Sequence, residues 1–579
     1  MTDTTNPPAG GGDGGEALVA AFGAMGADYL FCSSGSEWAP VWESLARRHR
    51  DGEPAPEYLD LTHETVAVGM ATGYGLIVRR PQGVLLHAAP GLLQGSMAVH
   101  GALLAGVPMV VASSESTGYG DGPGQDPGGQ WYRNLSVVGG PHGIARPFTK
   151  WSTEAADVHT LPTMVTRAAE LAWRAPAGPA YLNIPLEILL EEWDGREAKP
   201  VVPPGSTHSS PGEADSVAQL IREADNPVIV TETAGRDAGG FEALVAFAEA
   251  WSIPVVEPDS AVCANFPRTH PLHAGSDIGP WMDEADLILL VNCRAPFYPP
   301  SRRPSKARIV VIDEVPQRPH VVYQVLFADH YLEGNTANTL HQLAKRAGPL
   351  STAPETAPAV AGRRLAQEER HARERAAIAA AETRAADAEG VEGVDPVLVA
   401  ACLRALLDGR DAVVVDETIT HSRVVRRHLR TDAPDAYFYV QGGLGQGIAV
   451  ALGVKLAAGE RPVVLTIGDG AFAYNPVIPS YDAANTYGLP LLIVVFNNRV
   501  YKSMNLNHRR FYPDGAAADT GEWLGTDLRR LPRLARFAEP FGMHTETVDT
   551  PDVLAPALER ALKAVSEGTT AVVDVLVTR

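Results

Sequence analysis

The sequence is poor in the features that mark secreted, membrane-spanning and nucleic-acid-binding proteins. It has only four cysteines in 579 residues, all far apart and without a Cys-x-x-Cys pair, so we expect neither a disulfide framework nor a zinc site. No apolar run approaches the roughly 20 residues that a membrane helix needs. The N-terminus has no basic stretch before an apolar core. We therefore expect reduced thiols, a cytoplasmic location and no membrane partner.

Positive charge is also scarce, with 48 Lys and Arg against 69 Asp and Glu and a net charge of −21. A nucleic-acid partner is not expected, because clustered Lys and Arg are needed to bind a phosphate backbone. A single pyrophosphate can still be held by backbone N–H groups and a cation. The composition, 45% hydrophobic and 20% charged, is that of a globular protein, and the length predicts about three domains.

Strand-like apolar runs alternate with helical patterns in three stretches, which predicts α/β domains with parallel sheets flanked by helices. A Pro/Ser-rich segment follows the first stretch. A segment rich in Ala, Glu and Arg follows the second, and its balanced charges predict a solvated connecting helix. The predicted order is a flexible tail over 1–15, an N-terminal domain over 16–192, a linker over 193–212, a central domain over 213–350, a helical linker over 351–390 and a C-terminal domain over 391–579.

Gly-Asp-Gly occurs three times, but only Gly468-Asp469-Gly470 follows an apolar run and precedes a second one, which ends in Asn497-Asn498. A strand–helix–strand crossover places the carboxyl ends of both strands at one sheet edge, where open α/β sheets bind ligands. Carboxylate, amide and carbonyl oxygens suit Mg²⁺, and glycines allow close approach to phosphates. Asn475-Pro476 is predicted to start the intervening helix. Two tight turns capped by Asp and Asn are the alternative.

Gly-Asp-Gly followed by Asn-Asn at this spacing resembles the signature of thiamine diphosphate enzymes. Over nearly its whole length the chain resembles the acetolactate synthase, pyruvate oxidase and benzoylformate decarboxylase group. The resemblance implies a pyrimidine-binding, a central Rossmann-like and a diphosphate-binding domain. It implies that Mg²⁺ is bound by the side chains of Asp469 and Asn498 and the backbone carbonyl of Val500. The diphosphate contacts it implies are Thr418, Gly468, Gly470 and Ala471.

Two further segments carry the resemblance. "LTHETVAVGMATGYG" resembles the segment whose glutamate contacts the aminopyrimidine ring, and this implies a catalytic Glu64. "VQGGLGQGIAVALGVK" resembles the turn that holds that ring, with Gly442 and Gly443 allowing close approach and Leu444 bending the cofactor. Each segment could instead be structural, as a helix cap or a glycine-rich helix start. Tyr501 is expected to contact the cofactor and to shape the pocket.

The substrate loops look closer to benzoylformate decarboxylase than to acetolactate synthase. Ser36 and His87 are expected to bind the carboxylate of a 2-oxo acid and to relay a proton. A second active-site histidine is not evident, because "NCRAPFYPPS" stands at its place in the middle domain. Met504 is expected to shape the pocket, and Arg509 or Arg510 either meets an acidic substrate or is solvated.

The resemblance implies a thiamine diphosphate- and Mg²⁺-dependent enzyme that decarboxylates a 2-oxo acid, and releases an aldehyde or ligates the product to a second carbonyl compound. Cleavage of the 2-hydroxyacyl-CoA lyase type and a non-catalytic binding or regulatory relative are the alternatives. FAD or ADP could contact Arg236, Arg294 and Asp313 in the central domain, although we expect no flavin. The resemblance also implies a homodimer, or a dimer of dimers, whose active sites are shared between chains.

Overall fold

A computed structural model describes residues 12–116, 134–196, 198–299, 301–319, 321, 324, 328–348, 357–388 and 392–578. Three parallel sheets flanked by helices follow one another along the chain, as the sequence predicts. The predictions for residues 1–11, 351–356 and 389–390 lie outside the described ranges. Among the helices that are described, none is long and apolar enough to cross a membrane. All four cysteines are free thiols, three of them buried.

The N-terminal part holds the first sheet and the helices around it. Its strands are β1 (Gly12–Asp13), β2 (Tyr29–Cys32), β3 (Glu57–Asp60), β4 (Gln82–Leu86), β5 (Met109–Ser113), β6 (Trp151–Glu154), β7 (Pro179–Asn183) and β8 (Glu192–Trp193). Its helices are α1 (Gly14–Ala24), α2 (Ala39–Asp51), α3 (Glu64–Val78), α4 (Ala88–Ala105), α5 (Gly140–Ala145), α6 (Leu161–Trp173) and α7 (Leu186–Leu190). The six-stranded parallel sheet has the order β3-β2-β4-β5-β7-β6, and β1 pairs antiparallel with β8.

The predicted tail is too long, because residues 12–15 belong to β1 and α1. Asp13 Oδ1 accepts a hydrogen bond from the Glu16 N–H at 3.0 Å and so caps α1. Its other carboxylate oxygen pairs with Arg47 at 2.9 Å. The polar, glycine-rich sequence of residues 12–15 is typical of a flexible tail, and only the contacts with distant residues show that it is ordered.

The central part holds a five-stranded parallel sheet. Its strands are β9 (Pro227–Thr231), β10 (Val255–Val256), β11 (Leu287–Val291), β12 (Arg308–Asp313) and β13 (His330–Glu333), in the order β10-β9-β11-β12-β13. Its helices are α8 (Pro211–Glu223), α9 (Gly240–Trp251), α10 (Gly279–Glu284) and α11 (Thr336–Arg346). The predicted connecting helix follows as α12 (Ala357–Ala386).

The C-terminal part holds the third sheet, which is also parallel and six-stranded. Its strands are β14 (Val413–Glu417), β15 (Tyr437–Tyr439), β16 (Val463–Gly468), β17 (Leu492–Asn497), β18 (His544–Val548) and β19 (Ala571–Leu576), in the order β15-β14-β16-β17-β19-β18. Its helices are α13 (Pro396–Leu407), α14 (Ser422–His428), α15 (Gly447–Ala458), α16 (Asp469–Tyr474), α17 (Val477–Thr486), α18 (Lys502–Phe511), α19 (Ala516–Thr520) and α20 (Pro551–Ser566).

The chain forms two compact units. The first runs through Gly205 and takes in Val440–Gly459 and Asn475–Leu489, so it contains the first sheet together with α15 and α17. The second consists of Ser206–Tyr439, Glu460–Tyr474 and Pro490–Arg579, and it contains the other two parallel sheets.

Within the first unit, α3 and α15 touch through their backbones. A Cβ added to Gly73 would lie 2.0 Å from the Val450 carbonyl oxygen, and one added to Gly453 would lie 1.9 Å from the Met70 carbonyl oxygen. Both distances are far below any real contact, so only glycine fits at either position. The helices therefore approach closely because neither has a side chain at the crossing.

We expect Gly73→Ala to destabilise the protein by roughly 1–3 kcal/mol, because the new methyl group has no room beside Val450. Gly23→Ala is the matched control: Gly23 lies in α1, and a Cβ there meets nothing within 4 Å. That change should be neutral or stabilise by up to about 1 kcal/mol through helix propensity. Urea unfolding of both variants measures the difference. Equal effects would contradict the backbone contact.

Candidate active site

Two polar segments stand at neighbouring strand ends in the third sheet. β16 ends at Gly468, whose Cα pairs in register with Phe496 near the end of β17. Asp469 follows the first strand and Asn498 follows the second. The structure therefore brings the Gly-Asp-Gly and Asn-Asn segments side by side at one sheet edge.

The predicted helix α17 begins directly after Pro476, but a further short helix precedes it and the predicted cap by Asn475 is wrong. Asp469 already begins a short helix, α16, directly after β16. Asn475 does not cap α17: its side-chain oxygen accepts the N–H of Ile448 at 3.1 Å, at the start of α15. Pro476 is the N-cap residue of α17 and makes no side-chain cap. The Asn-Pro pair resembles a helix cap in sequence, but the asparagine side chain hydrogen-bonds to a residue of another helix.

Asp469 is a buried carboxyl group with one oxygen left over. It is 5% exposed, and its Oδ1 accepts the N–H of Gly470 at 2.8 Å. Its Oδ2 is buried and has no hydrogen-bond partner within the described ranges. Burial raises the pKa of Asp469 to about 6, although nearby backbone N–H groups, first that of Gly470, oppose the rise. A cation beside Oδ2 would supply the missing partner and favour the ionised form.

Asn498 and Val500 place two further oxygens next to the sheet edge. Asn498 is 3% exposed, and its Oδ1 accepts the Val500 N–H at 3.0 Å. The Val500 carbonyl accepts the Lys502 N–H at 2.8 Å. Each oxygen keeps a second lone pair. Together with Asp469 this donor set fits Mg²⁺, although nowhere in the described part of the chain do three His, Cys, Asp or Glu side chains group into a metal site.

Asn497, the first asparagine of the Asn-Asn pair, has a structural role. Asn497 Nδ2 donates to Asp574 Oδ1 at 2.9 Å, in the buried interior of the sheet. Its own Oδ1 accepts the N–H of Arg499, which has a positive φ of 58°. Asn497 therefore ties the strand end to β19 and shapes the turn that presents Asn498.

The two glycines of the motif differ in their surroundings. A Cβ on Gly468 would meet no atom of the described residues within 4 Å, whereas one on Gly470 would lie 2.3 Å from the Tyr501 ring. Tyr501 thus packs on Gly470, and the adjacent Ala471 is buried. A cavity of about 320 Å³ opens beside Asp469, and its lining includes Asn497, Arg499, Arg529 and Arg533.

The loop after β14 contributes a histidine that sequence reasoning missed. Thr418 commits both of its donors to Asp416 Oδ1, the N–H at 2.8 Å and the hydroxyl at 2.6 Å. His421 stacks on Phe496 with ring centroids 5.6 Å apart, beside the Gly468 end of β16. Its Nε2 is buried and without a hydrogen-bond partner among the described residues. Burial, and to a smaller extent Lys502, lowers the pKa of His421 to about 4, so the ring is neutral.

In the first unit, Glu64 is the first residue of α3. His63 caps this helix through Nδ1, which accepts the Thr65 N–H at 3.1 Å. The glycines of α4 pack against Glu64: a Cβ on Gly91 would lie 3.1 Å from Glu64 Oε1, and one on Gly95 would lie 3.4 Å from its Cβ. The side chain is thereby held beside the first turns of α4.

Ser36 and His87 lie at the ends of paired strands. β2 and β4 are adjacent and parallel; Ser36 lies in the turn after β2, and His87 directly follows β4. His87 Nδ1 faces a carboxylate that the motif comparison did not include, that of Glu37. No sequence pattern around Glu37 distinguishes it from a surface glutamate.

The turn before α15 also packs on α4. Gly442 has φ of 97°, and a Cβ there would lie 2.6 Å from the Gly101 Cα. A Cβ on Gly443 would lie 2.9 Å from the sulfur of Met97. Gln446 Nε2 closes the turn by donating to the carbonyls of Gln441 and Gly443. The turn leaves Leu444 partly exposed. The structure therefore gathers His87, Glu64 and the Gly442–Leu444 turn along α4.

The central sheet edge is occupied by the chain's own carboxylates. Glu232 accepts the N–H groups of Arg294 and Ala295, and Asp313 accepts the Val315 N–H at 2.9 Å. Asp313 also pairs with Arg318 at 2.7 Å. The backbone N–H groups of Arg294, Ala295 and Val315 are thus already satisfied.

The segment that carries Met504, Arg509 and Arg510 is a helix, α18. None of its residues is buried, and Met504 is 51% exposed. Arg510 donates to the Tyr298 hydroxyl at 2.8 Å, and Arg509 lies over the Trp523 ring at 5.3 Å.

Comparison with known proteins agrees with this geometry. Three thiamine pyrophosphate enzyme models match in order: the N-terminal TPP binding domain over 12–130, the central domain over 214–343 and the C-terminal TPP binding domain over 418–575. A benzoylformate decarboxylase from Pseudomonas aeruginosa is 26% identical over 538 residues, 87% of this chain and 89% of its own. An acetolactate synthase large subunit from Mycobacterium tuberculosis is 28% identical over 591 residues, 99% and 97% of the two chains.

A solved structure, the thiamine diphosphate-dependent 4-hydroxybenzoylformate decarboxylase from Rhodococcus jostii, has the same fold. It superposes with a TM-score of 0.78 at 24% identity and covers 98% of this chain and 99% of its own. The chain belongs to the thiamine diphosphate-dependent enzymes. Its relatives include benzoylformate decarboxylases and acetolactate synthases, so the predicted family is confirmed.

Proposed function

We propose that the protein is a thiamine diphosphate- and Mg²⁺-dependent enzyme that decarboxylates a 2-oxo acid. The carbon that loses CO₂ is then either protonated, which releases an aldehyde, or ligated to a second carbonyl compound. The observation that carries this proposal is the Oδ2 of buried Asp469, which has no partner among the described residues, at the strand end that the sheet register places beside the Asn498 segment. A carboxylate left unpartnered inside a protein is costly unless a ligand completes it.

In this proposal Asp469, Asn498 and the Val500 carbonyl hold Mg²⁺. The backbone at Gly470 and Ala471 and the open space over Gly468 accept the diphosphate, and the neutral imidazole of His421 is a further donor for it. Thiamine diphosphate supplies the carbon nucleophile that adds to the 2-oxo acid and the electron sink for the pair released with CO₂.

The residues of the first unit act on protons and on the substrate. Glu64 holds a proton at the aminopyrimidine ring, and the turn Gly442–Leu444 seats that ring through its backbone. Ser36 binds the substrate carboxylate. His87 exchanges a proton with the reacting carbon.

A substrate screen tests the function. The holoenzyme is incubated with aromatic, aliphatic and acidic 2-oxo acids and, separately, with 2-hydroxyacyl-CoA thioesters. We expect CO₂ and an aldehyde or acyloin from at least one 2-oxo acid. Aldehyde from a thioester without CO₂ would favour the lyase alternative. Cofactor binding with no turnover on any substrate would favour a binding or regulatory relative.

We propose that the central domain binds no flavin or ADP, because Glu232 and Asp313 occupy its sheet edge. A dinucleotide would lie against these carboxylates and would find their backbone donors taken. The purified protein should be colourless, and its denatured supernatant should lack flavin fluorescence and ADP by chromatography. A stoichiometric flavin reduced by substrate would contradict the non-oxidative reaction.

We also propose a homodimer with two equivalent active sites, each using Glu64 of one chain and Asn498 of the other. Glu64→Ala and Asn498→Ala chains, inactive alone, are co-expressed with different tags. Random pairing makes about half of the dimers mixed, with one intact site each, so activity should recover to roughly a quarter of wild type. If one chain supplied both residues, every site would carry a lesion, and purified mixed dimers would stay inactive.

A further inference from the structure

Glu37 is a buried carboxylate whose surroundings the proposed function leaves unexplained. Its side chain is fully buried, and it lies in the short turn Ser36–Trp38. Both carboxylate oxygens face His87 Nδ1, at 2.8 and 2.9 Å, and Oε1 also accepts the Ala88 N–H at 3.0 Å. A buried carboxylate is tolerated only with such partners, so the pair is an organised contact and not an incidental one.

The local fold favours this contact. A Cβ on Gly35 would lie 2.2 Å from His87 Nδ1 and 2.4 Å from both oxygens of Glu37, so a larger residue before the turn would displace the paired side chains. The Trp38 indole N–H donates to the Leu86 carbonyl at 3.2 Å and fastens the turn to the end of β4. Ala88, which donates to Glu37, holds an unusual φ of 42°.

The charged groups that face the imidazole are Glu37, from the turn after β2, and Glu64, from α3. The hydrogen bond with Glu37 raises the pKa of His87, burial opposes the rise, and the charges of Glu37 and Glu64 add to it. The protonated imidazole is therefore favoured, and this preference is lost as pH rises through the raised pKa. The Nδ1 proton faces Glu37, so Nε2 is the nitrogen left for proton exchange, and 27% of the His87 side chain is exposed.

We propose that Glu37 is a positioning residue that orients His87 so that Nε2 delivers a proton to the carbon that has lost CO₂. The inference rests on the proposed function. The electron pair left by the broken C–C bond takes the Nε2 proton and forms a C–H bond, and the neutral imidazole regains a proton from water. Glu37 thereby biases the enzyme toward aldehyde release over ligation.

The first test is the titration of His87 in the protein without cofactor, followed by NMR and assigned by the signal lost in His87→Ala. We expect a wild-type pKa above the ordinary value of about 6.5 and a lower pKa in Glu37→Gln. Glu37→Asp should restore part of the shift, and Glu43→Gln, an exposed carboxyl on α2, should change nothing. A wild-type pKa at or below the ordinary value would overturn the proposal, whether or not the variants fold.

The second test is the product ratio with a substrate that the screen identifies. At a pH above both pKa values, the protonated imidazole decreases about tenfold for each unit by which the pKa falls, so the aldehyde-to-acyloin ratio in Glu37→Gln should drop by the factor that the titration gives. An unchanged ratio and pH profile would overturn the role in product choice. If wild type turns over no substrate, the proposed function fails, while the titration still decides whether Glu37 controls His87.

Discussion

Asp469→Ala is expected to abolish binding of thiamine diphosphate in the presence of Mg²⁺. The change removes the only charged oxygen of the proposed metal site, so the affinity should fall at least 100-fold, beyond the roughly 10- to 100-fold typical of a residue that merely supports a ligand. Calorimetric titration measures the binding. Asp408→Ala, which removes an exposed carboxyl after α13, is the control and should bind as wild type does.

Stability distinguishes this loss of binding from unfolding. The Oδ2 of Asp469, which has no partner among the described residues, is a cost in the protein without cofactor. Its removal offsets the loss of the hydrogen bond from Gly470, so Asp469→Ala should have about the stability of wild type when neither carries ligand. Only wild type should gain stability from added Mg²⁺ and cofactor. Unchanged affinity in Asp469→Ala would remove the central claim about the metal.

Glu64→Gln is expected to lower kcat by roughly 10²- to 10⁴-fold, the range typical of a lost proton-transfer group. The amide keeps the size of the side chain beside Gly91, so cofactor affinity should change little. Steady-state kinetics at saturating cofactor and calorimetry measure the two effects separately. Glu57→Gln, an exposed carboxyl on β3, is the control. A loss of affinity as large as that of Asp469→Ala would show that Glu64 holds the cofactor and moves no proton.

The strands inside each sheet could be predicted, whereas several at the sheet edges could not. β4, β5, β11 and β17 are buried along their whole length and therefore appear as continuous apolar runs. The strands β1, β3, β6, β8, β13, β15 and β18 are shorter or more polar than these runs, and each of them is an edge strand. An edge strand has a neighbouring strand on one side only and is less buried, so a short sequence that mixes polar and apolar residues can form it.

Some residues of the candidate site could also be predicted from the sequence, and others could not. Asp469 and Asn498 could be found because their spacing follows directly from a strand–helix–strand unit. Glu37 and His421 could not, because their significance lies in complete burial and in partners distant along the chain. Thr418 shows the opposite case. Its position in the sequence predicted a diphosphate contact, but its hydroxyl donates a hydrogen bond to Asp416.

The glycine crossing of α3 and α15 has a consequence for how this enzyme can change. Glu64 begins one helix, and the Gly442–Leu444 turn leads into the other, so the crossing sets the spacing of two groups assigned to the same ring. Backbone atoms cannot change rotamer, so this contact holds the two helices at one fixed distance. Ser36 and His87, the residues proposed to act on the substrate, belong to neither of the two crossing helices. Substitutions there would therefore alter substrate choice and leave the spacing of the proposed cofactor contacts unchanged.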